Sequence, residues 1–160
     1  MNGVTGRMGT NQHLLRSIVA IREQGGVRLA DGGAIVPEPL LVGRNRAKLE
    51  AIAARAGGVP WTTDLDQALG DDRYTIYFDA QSTDRRAAAV RRAIAAGRHV
   101  YCEKPSAATV AEALELYELA RDAGVCHGVV QDKLWLPGIV ALRELMESGY
   151  FGRLLSVRGE

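Results

Sequence analysis

Three glycines near the amino terminus form the pattern with the clearest chemical meaning. They are spaced by three in the run Gly-Val-Thr-Gly-Arg-Met-Gly, which begins at residue 3. A glycine-rich turn that opens a helix lets the backbone approach a pyrophosphate, and the N–H groups of the first helical turn supply donors and a positive dipole. A plain turn before a helix is the alternative. The predicted phosphate-binding residues are Gly3, Thr5, Gly6, Arg7, Met8 and Gly9.

A second candidate contact lies in the loop Val-Gly-Arg-Asn-Arg at residues 42–46, which contains no Asp or Glu. In dinucleotide-binding sheets an acid after the second strand holds the adenosine ribose hydroxyls. A carboxylate would repel a 2′-phosphate, whereas an arginine pairs with it through two hydrogen bonds. The loop therefore favours NADP over NAD, with Arg44 as the contact, Arg46 as a second candidate and Asn45 beside them. The alternative is that Arg44 is an ordinary exposed loop residue.

The third candidate is Glu103-Lys104-Pro105, directly after the predicted strand at residues 99–102. Residues just past the carboxyl ends of parallel strands face the ligand crevice. The proline disfavours a helical conformation at Lys104 and holds it extended. A lysine beside a nicotinamide can hydrogen-bond a substrate hydroxyl and stabilise a developing alkoxide. The alternative is an ordinary charged loop before a helix.

These candidates are separated by alternating strand and helix patterns, which predict parallel βαβ units with helices on both faces of the sheet. Only two residues precede the glycine turn, so we expect most of the first strand to be missing. A turn at Asp31-Gly32-Gly33 predicts a hairpin tip. Predicted helices cover residues 13–21, 46–56, 84–96, 106–123 and 137–148, with another capped by Thr63 or Asp64; predicted strands cover residues 40–42, 61–62, 74–78, 99–102, 125–130 and 152–160.

Composition is that of an ordinary globular chain. It is 47% hydrophobic and 24% charged. Its net charge of +1 creates no electrostatic potential that would attract nucleic acid or a membrane surface. Aromatic residues make up 6%, too few for a single-strand stacking platform. Cys102 and Cys126 form no disulfide framework or metal spacing, which favours a reducing, cytoplasmic compartment. No apolar run predicts a signal peptide or a transmembrane span.

Other conspicuous side chains are predicted to be structural. The arginines are assigned to a solvated helix face, with an anion site as the alternative, the histidines to structural roles and the tryptophans to packing. These residues are Arg85, Arg86, Arg91, Arg92, His13, His99, His127, Trp61 and Trp135.

The run Gly-Arg-His-Val-Tyr-Cys-Glu-Lys-Pro at residues 97–105 resembles the "AGKHV-x-x-EKP" signature of the Gfo/Idh/MocA oxidoreductases. The tail at residues 149–154 is similar to that family's "G-x-(I/L)-G-x-(I/L)" entry into its second domain. The resemblance implies a Rossmann-type doubly wound parallel sheet over residues 1–130 and the truncated beginning of a C-terminal α/β domain over residues 131–160. It also implies NAD(P)-dependent hydride transfer on a sugar, polyol or related substrate, with Lys104 beside substrate and nicotinamide. The Lys104–Pro105 bond is often cis in this family.

The resemblance assigns further residues. The family's "TP-N" turn corresponds to Gln81, Ser82 and Thr83, and its following histidine to Arg86. Its "N-R-R-F-x-P" segment corresponds to residues 132–137, where Lys133 keeps the positive charge and is a predicted substrate contact. Glu103 joins the predicted cofactor site. The family's acid/base residue lies beyond Glu160, and full-length members are homo-oligomers.

Two other interpretations remain. Dihydrodipicolinate reductases share the turn "G-x-x-G-R-M-G", although their His-rich motif is absent here. A non-catalytic dinucleotide-binding module is the alternative from another class. We expect the isolated 160 residues to bind cofactor weakly or not at all, to show negligible turnover and to be poorly stable, because the shortened strand would be central in the sheet.

Overall fold

The computed structural model describes residues 1–158. The chain divides into two compact units, Met1–Val129 and Val130–Glu160. The first unit contains the sheet and all but one of the predicted site residues.

A parallel sheet organises the first unit. Its strands are β3 (Leu41–Val42), β4 (Trp61–Thr62), β5 (Ile76–Asp79), β6 (His99–Cys102) and β7 (His127–Val129). β3 pairs with β4, and β5 pairs with β6, which pairs in turn with β7. These parallel pairs confirm the predicted α/β class.

Asn2 joins the two halves of this sheet. Asn2 forms parallel bridges to Val42 on one side and to Asp79 on the other. Its backbone N–H donates to the Phe78 carbonyl at 2.8 Å, and its carbonyl accepts from the Ala80 N–H at 2.8 Å. The order is therefore β4, β3, Asn2, β5, β6, β7. The chain leaves Asn2 toward β3 and later returns to β5, which makes this position the topological switch point of the sheet.

The first helix follows the glycine turn. Met8–Val19 has π-helical geometry and continues as α1 (Ala20–Glu23). An antiparallel hairpin of β1 (Val27–Arg28) and β2 (Ala34–Ile35) comes next. The Asp31 carboxylate accepts from the Gly33 N–H within its turn, which confirms the predicted hairpin tip.

Helices between the strands begin at polar caps. The Asn45 side chain accepts from the Lys48 N–H at the start of α2 (Arg46–Arg55), and Asp64 caps α3 (Leu65–Leu69). The other two helices of the unit are α4 (Thr83–Ala95) and α5 (Val110–Asp122).

The start of α5 differs from the predicted start at residue 106. The Thr109 hydroxyl accepts from the Glu112 N–H at 3.2 Å, and the Glu112 carboxylate accepts from the Ala108 N–H at 3.1 Å. This reciprocal cap fixes the first helical residue at Val110. Residues 106–109 therefore stay outside the helix and extend the loop that follows Lys104.

Two apolar clusters hold the unit together. One contains Leu14, Leu41 and Leu49, all fully buried, and joins the first helix and α2 to the sheet near β3. The other packs α4 and α5 against β5 and β6, with Tyr77 and Val100 from the strands. Burying a side chain of this size contributes roughly 1.5–3 kcal/mol.

The second unit contains a 3₁₀ helix (Asp132–Trp135) and α6 (Pro137–Glu147). The prediction of a strand from residue 152 is wrong through residue 158, where no strand partner is present; Gly159 and Glu160 lie outside the described residues. Trp135 is not a packing residue, since it is 68% exposed beneath the Arg143 guanidinium. Across residues 1–158, no helix has both the length and the apolar character required to cross a membrane.

Candidate functional site

The glycine turn at the switch point is shaped by close backbone contacts. Gly3 has φ +81°, and a Cβ there would lie 2.5 Å from the Gln81 amide nitrogen. A Cβ on Gly9 would lie 2.6 Å from the Gly3 carbonyl oxygen. At Gly6 the nearest atom is that same oxygen at 3.5 Å, so this glycine is open rather than crowded. Two glycines therefore build the turn, and the third leaves space beside it.

A cleft of about 220 Å³ opens at the carboxyl end of the sheet beside this turn. It is bounded by the glycine turn, by the loop after β3 and by the loop after β5 together with the start of α4. Among residues 1–158, no side chain caps the start of the first helix, so its backbone N–H groups are available to an anion. The lining residues are Asn2, Gly3, Thr5, Gly6, Gly43, Arg44, Ala80, Gln81, Ser82 and Arg85.

Arg44 and Arg85 both line the cleft, and the Asp84 carboxylate interacts electrostatically with both. The Ser82 hydroxyl lowers the pKa of Asp84 by hydrogen bonding, and the positive charges of Arg85 and Arg44 lower it further. Arg85 lies 3.8 Å from this carboxylate. The cleft is therefore cationic here, with Asp84 balancing part of the charge.

Lys104 follows β6, which is separated from Asn2 in the sheet by β5. The preceding Glu103 continues the sheet, because its N–H donates to the Asp79 carbonyl at 2.9 Å. The Glu103 carboxylate also contacts His13 Nε2 of the first helix at 2.6 Å and accepts from the Lys104 N–H at 3.0 Å. The Lys104–Pro105 bond is cis, in agreement with the resemblance. Lys104 itself is exposed and makes no ion pair within residues 1–158.

A buried polar network supports the loops from below. Asp79 and Arg86 are 0% and 2% exposed, and Arg86 Nε donates to Asp79 Oδ1 at 3.0 Å. The Tyr77 hydroxyl donates to Asp79 Oδ2 at 2.7 Å and accepts from the Asn2 side chain. Burial and the Asp79 carboxylate raise the pKa of Tyr77 well above its ordinary value, so it remains a donor. The Gln81 N–H and side chain also donate to Asp79.

The prediction of a solvated face is wrong for Arg86. Its neighbours Arg85 and Arg92 are exposed, but Arg86 is buried because it shares the inner side of α4 with Val90 and Ala93. Positions i, i+4 and i+7 lie on one helix face. The spacing of Arg86 from Val90 and Ala93 was therefore the signal in the sequence that could have predicted its burial.

His13 also has a partner that the sequence did not identify. It contacts Glu103 across 90 positions of the chain, and its ring lies 4.8 Å from that of Phe78. Its place one helical turn after Gly9 puts it on the same helix face as the glycine turn. The first helix is thereby connected directly to the Lys104 loop.

The residues that line this cleft do not include the other predicted site residues of the first unit, which are Arg7, Met8, Gly9, Asn45, Thr83, Glu103 and Lys104. Arg7 and Met8 are exposed at the start of the first helix, and Asn45 uses its side-chain oxygen as the cap of α2. Thr83 is the first residue of α4. Lys133 belongs to the second unit, where it is exposed on the 3₁₀ helix. Within residues 1–158 no group of three or more His, Cys, Asp or Glu side chains is arranged to hold a metal ion.

An open parallel sheet with a glycine turn and an uncapped helix start at its switch point defines a dinucleotide-binding α/β domain. Residues 39–131 match the Gfo/Idh/MocA family, described as an oxidoreductase family with an NAD-binding Rossmann fold. The chain belongs to this family. That membership decides between the two enzyme families that share the glycine turn, and against the dihydrodipicolinate reductases.

Relatives extend this assignment over the whole chain. A D-xylose dehydrogenase from Paenarthrobacter nicotinovorans is 52% identical over all 160 residues, which cover 41% of that relative. A levoglucosan dehydrogenase from Pseudarthrobacter phenanthrenivorans is 30% identical over 78% of this chain and 32% of its own length. The chain thus spans less than half the length of these relatives.

Solved structures agree on the fold. An NAD-binding oxidoreductase from Klebsiella pneumoniae superposes with a TM-score of 0.78 at 25% identity, over 94% of this chain and 38% of that one. A levoglucosan dehydrogenase in complex with NADH and levoglucosan gives a TM-score of 0.80 at 24% identity, over 96% of this chain and 40% of that one.

Proposed function

We propose that this chain is the cofactor-binding part of an NAD(P)-dependent oxidoreductase acting on a sugar or polyol. The observation that carries the proposal is the convergence of the glycine turn, the Gln81 loop and the Lys104 loop at the carboxyl end of one sheet. The Glu103–His13 contact links the helix that starts at the turn to the strand that ends at Lys104.

The residues present fit a dinucleotide. The open side of Gly6 and the uncapped helix start suit the pyrophosphate, because both offer backbone donors without a side chain in the way. Gln81, Ser82 and Thr83 would contact the nicotinamide half, with Glu103 beside it. When bound, the nicotinamide supplies the chemistry of hydride transfer.

Lys104 is the proposed catalytic residue of this chain. Glu103 fixes the Lys104 backbone by accepting a hydrogen bond from its N–H at 3.0 Å, while the Lys104 side chain is exposed just after β6. From there it can hydrogen-bond a substrate hydroxyl or carbonyl and stabilise negative charge on that oxygen during the reaction. Lys133 is proposed as a second substrate contact.

The substrate class follows from the relatives. Their names specify D-xylose and levoglucosan, which are both carbohydrates. We therefore infer a small polyhydroxylated substrate rather than a macromolecule. We also propose that residues 1–130 form the cofactor domain, that residues 131–160 begin the substrate domain, and that the full-length enzyme is a cytoplasmic homo-oligomer.

A preference for NADP is the finer proposal. Arg44 lines the cleft at the end of β3, in the loop that carries no acid, and Arg85 adds a second positive charge. Both suit a 2′-phosphate. The Asp84 carboxylate near them opposes a second anion, so the preference depends on the balance of these three side chains.

Turnover is best tested in a hybrid enzyme, in which residues 1–160 replace the matched 41% of the Paenarthrobacter D-xylose dehydrogenase. We expect oxidation of D-xylose or another sugar with NAD or NADP as acceptor. The matched control is Gly6→Ala, which has room for its methyl group but narrows the pyrophosphate position, and which should retain the fold while losing nucleotide affinity. A folded hybrid that binds neither nucleotide would refute the proposal.

A further inference from the structure

The buried pair of Asp79 and Arg86 needs an explanation beyond stability. Both side chains are almost completely removed from solvent, at 0% and 2% exposure. Taking two charges out of water costs free energy that their mutual attraction often fails to recover, so an apolar pair of similar size is frequently as stable. A cost of this kind points to a geometric requirement at this position.

The hydrogen bonds of Arg86 indicate what that requirement is. Its Nε binds Asp79, its Nη2 donates to the Gln81 carbonyl at 2.7 Å and its Nη1 donates to the Pro105 carbonyl. Gln81 belongs to the loop after β5, and Pro105 to the loop after β6. One planar guanidinium thus binds both loops at once, with donors whose mutual directions are fixed.

We propose that Arg86 is a positioning residue that sets the spacing between the Gln81 loop and Lys104. This inference rests on the proposed function, because the two loops are those assigned to the nicotinamide and to the substrate oxygen. Arg86 touches neither of these ligands in this assignment. It acts by holding Lys104 where the ammonium reaches the reacting oxygen, and small displacements there have large kinetic effects.

Arg98 provides a matched comparison for a purely structural role. It is also buried, with 9% exposure, and it also bonds to a backbone carbonyl and an aspartate. Its Nε and Nη2 donate to the Leu69 carbonyl at 3.0 and 2.7 Å, and Nη2 also binds Asp72 at 2.7 Å. Arg98 precedes β6, however, whereas the Lys104 loop follows it. The same chemistry therefore occurs at both ends of one strand.

The first test uses the 160-residue chain without any ligand. Arg86→Lys keeps the charge but cannot bind both carbonyls in the fixed geometry of the guanidinium. We expect amide signals of both Ser82 and Lys104 to shift in ¹⁵N–¹H spectra of Arg86→Lys, and neither to shift in Arg98→Lys. The proposal is overturned if Arg86→Lys leaves the Lys104 signal in place, or if Arg98→Lys moves it equally.

The second test measures turnover in the hybrid enzyme. Arg86→Lys should lower kcat by at least about tenfold, because it displaces Lys104 from the reacting oxygen. Arg98→Lys should lower the melting temperature by a similar amount and leave kcat unchanged. Should Arg86→Lys fail to fold, the double variant Asp79→Asn/Arg86→Gln removes both charges together, so that neither charge is left buried without its partner. A wild-type kcat in either folded variant would overturn the proposal.

The unmodified hybrid separates this inference from the proposed function. If it neither binds nor uses a nicotinamide nucleotide, the proposed function fails. If it does both and the Arg86 variants behave like Arg98→Lys, only the positioning role fails.

Discussion

The strands of the parallel sheet all begin at one edge, the amino edge, and all end at the other, the carboxyl edge. The two edges use similar residues for different purposes. At the carboxyl edge, Gly3 and Gly9 are required by close backbone contacts, since a Cβ at either would lie 2.5–2.6 Å from a backbone atom. At the amino edge, Gly57, Gly97 and Gly124 also have unusual backbone conformations, with φ of +85°, +69° and +66°, but nothing lies within 4 Å of a Cβ there. The first group shapes a site, and the second only ends helices.

Buried arginines repeat the contrast. Arg86 at the carboxyl edge joins two loops that carry candidate site residues, whereas Arg98 at the amino edge binds only the end of α3 and Asp72. The difference indicates that polar burial at the carboxyl edge serves geometry. At the amino edge it serves stability alone.

The largest expected effect tests whether chemistry is confined to the carboxyl edge. Replacing Lys104 by Met in the hybrid enzyme should lower kcat by about 10²–10³-fold, because a preorganised donor to the reacting oxygen is lost. The matched control is Lys48→Met, an exposed lysine within α2 rather than in a loop that follows a strand. Steady-state kinetics with saturating nucleotide measure both. Equal activity of the two variants would contradict the role of Lys104.

The second prediction compares glycines at the two edges. Gly3→Ala should lower the free energy of unfolding by at least about 2 kcal/mol more than Gly57→Ala, because only the first adds a collision to the cost of a positive φ. Urea denaturation of the 160-residue chain measures the difference. Equal losses would mean that the contact with the Gln81 backbone is not needed for folding.

How far the sequence predicts the molecule depends on the range of the interaction concerned. Caps and glycine stops lie within a few residues of the helices they bound, so α2, with Asn45 at its start, was predicted almost to the residue. The hairpin around Asp31 was predicted for the same reason. The start of α5 was missed because Ser106 and Thr109 are both acceptable caps, and the choice depends on the Glu112 side chain reaching Ala108.

Site residues joined by long-range contacts were only partly predictable. The three candidate loops follow from strand order, since parallel strands end at one edge. The partnership of His13 with Glu103 spans 90 positions, and no local pattern encodes it. Arg86 was misjudged because four arginines on one helix resemble a solvated face, although one shares the buried side with Val90.

The smallest expected effect concerns cofactor choice at the carboxyl edge. Arg44→Ala should weaken NADPH binding by about tenfold, or about 1.4 kcal/mol, and leave NADH binding within about twofold. The control is Arg55→Ala, an exposed arginine at the opposite end of α2. Calorimetric titration of both variants and of the unchanged protein with NADPH and with NADH measures these dissociation constants. An equal loss for NADH and NADPH would remove the argument for a 2′-phosphate contact.

Titration of the ¹⁵N-labelled 160-residue chain with NADH tests the central claim most directly, because amide signals report even weak binding residue by residue. The account predicts that the amide signals of Gly6, Ser82 and Lys104 shift together and fit one dissociation constant. Shifts confined to the glycine turn, or separate constants for Gly6 and Lys104, would contradict a single nucleotide site that includes both.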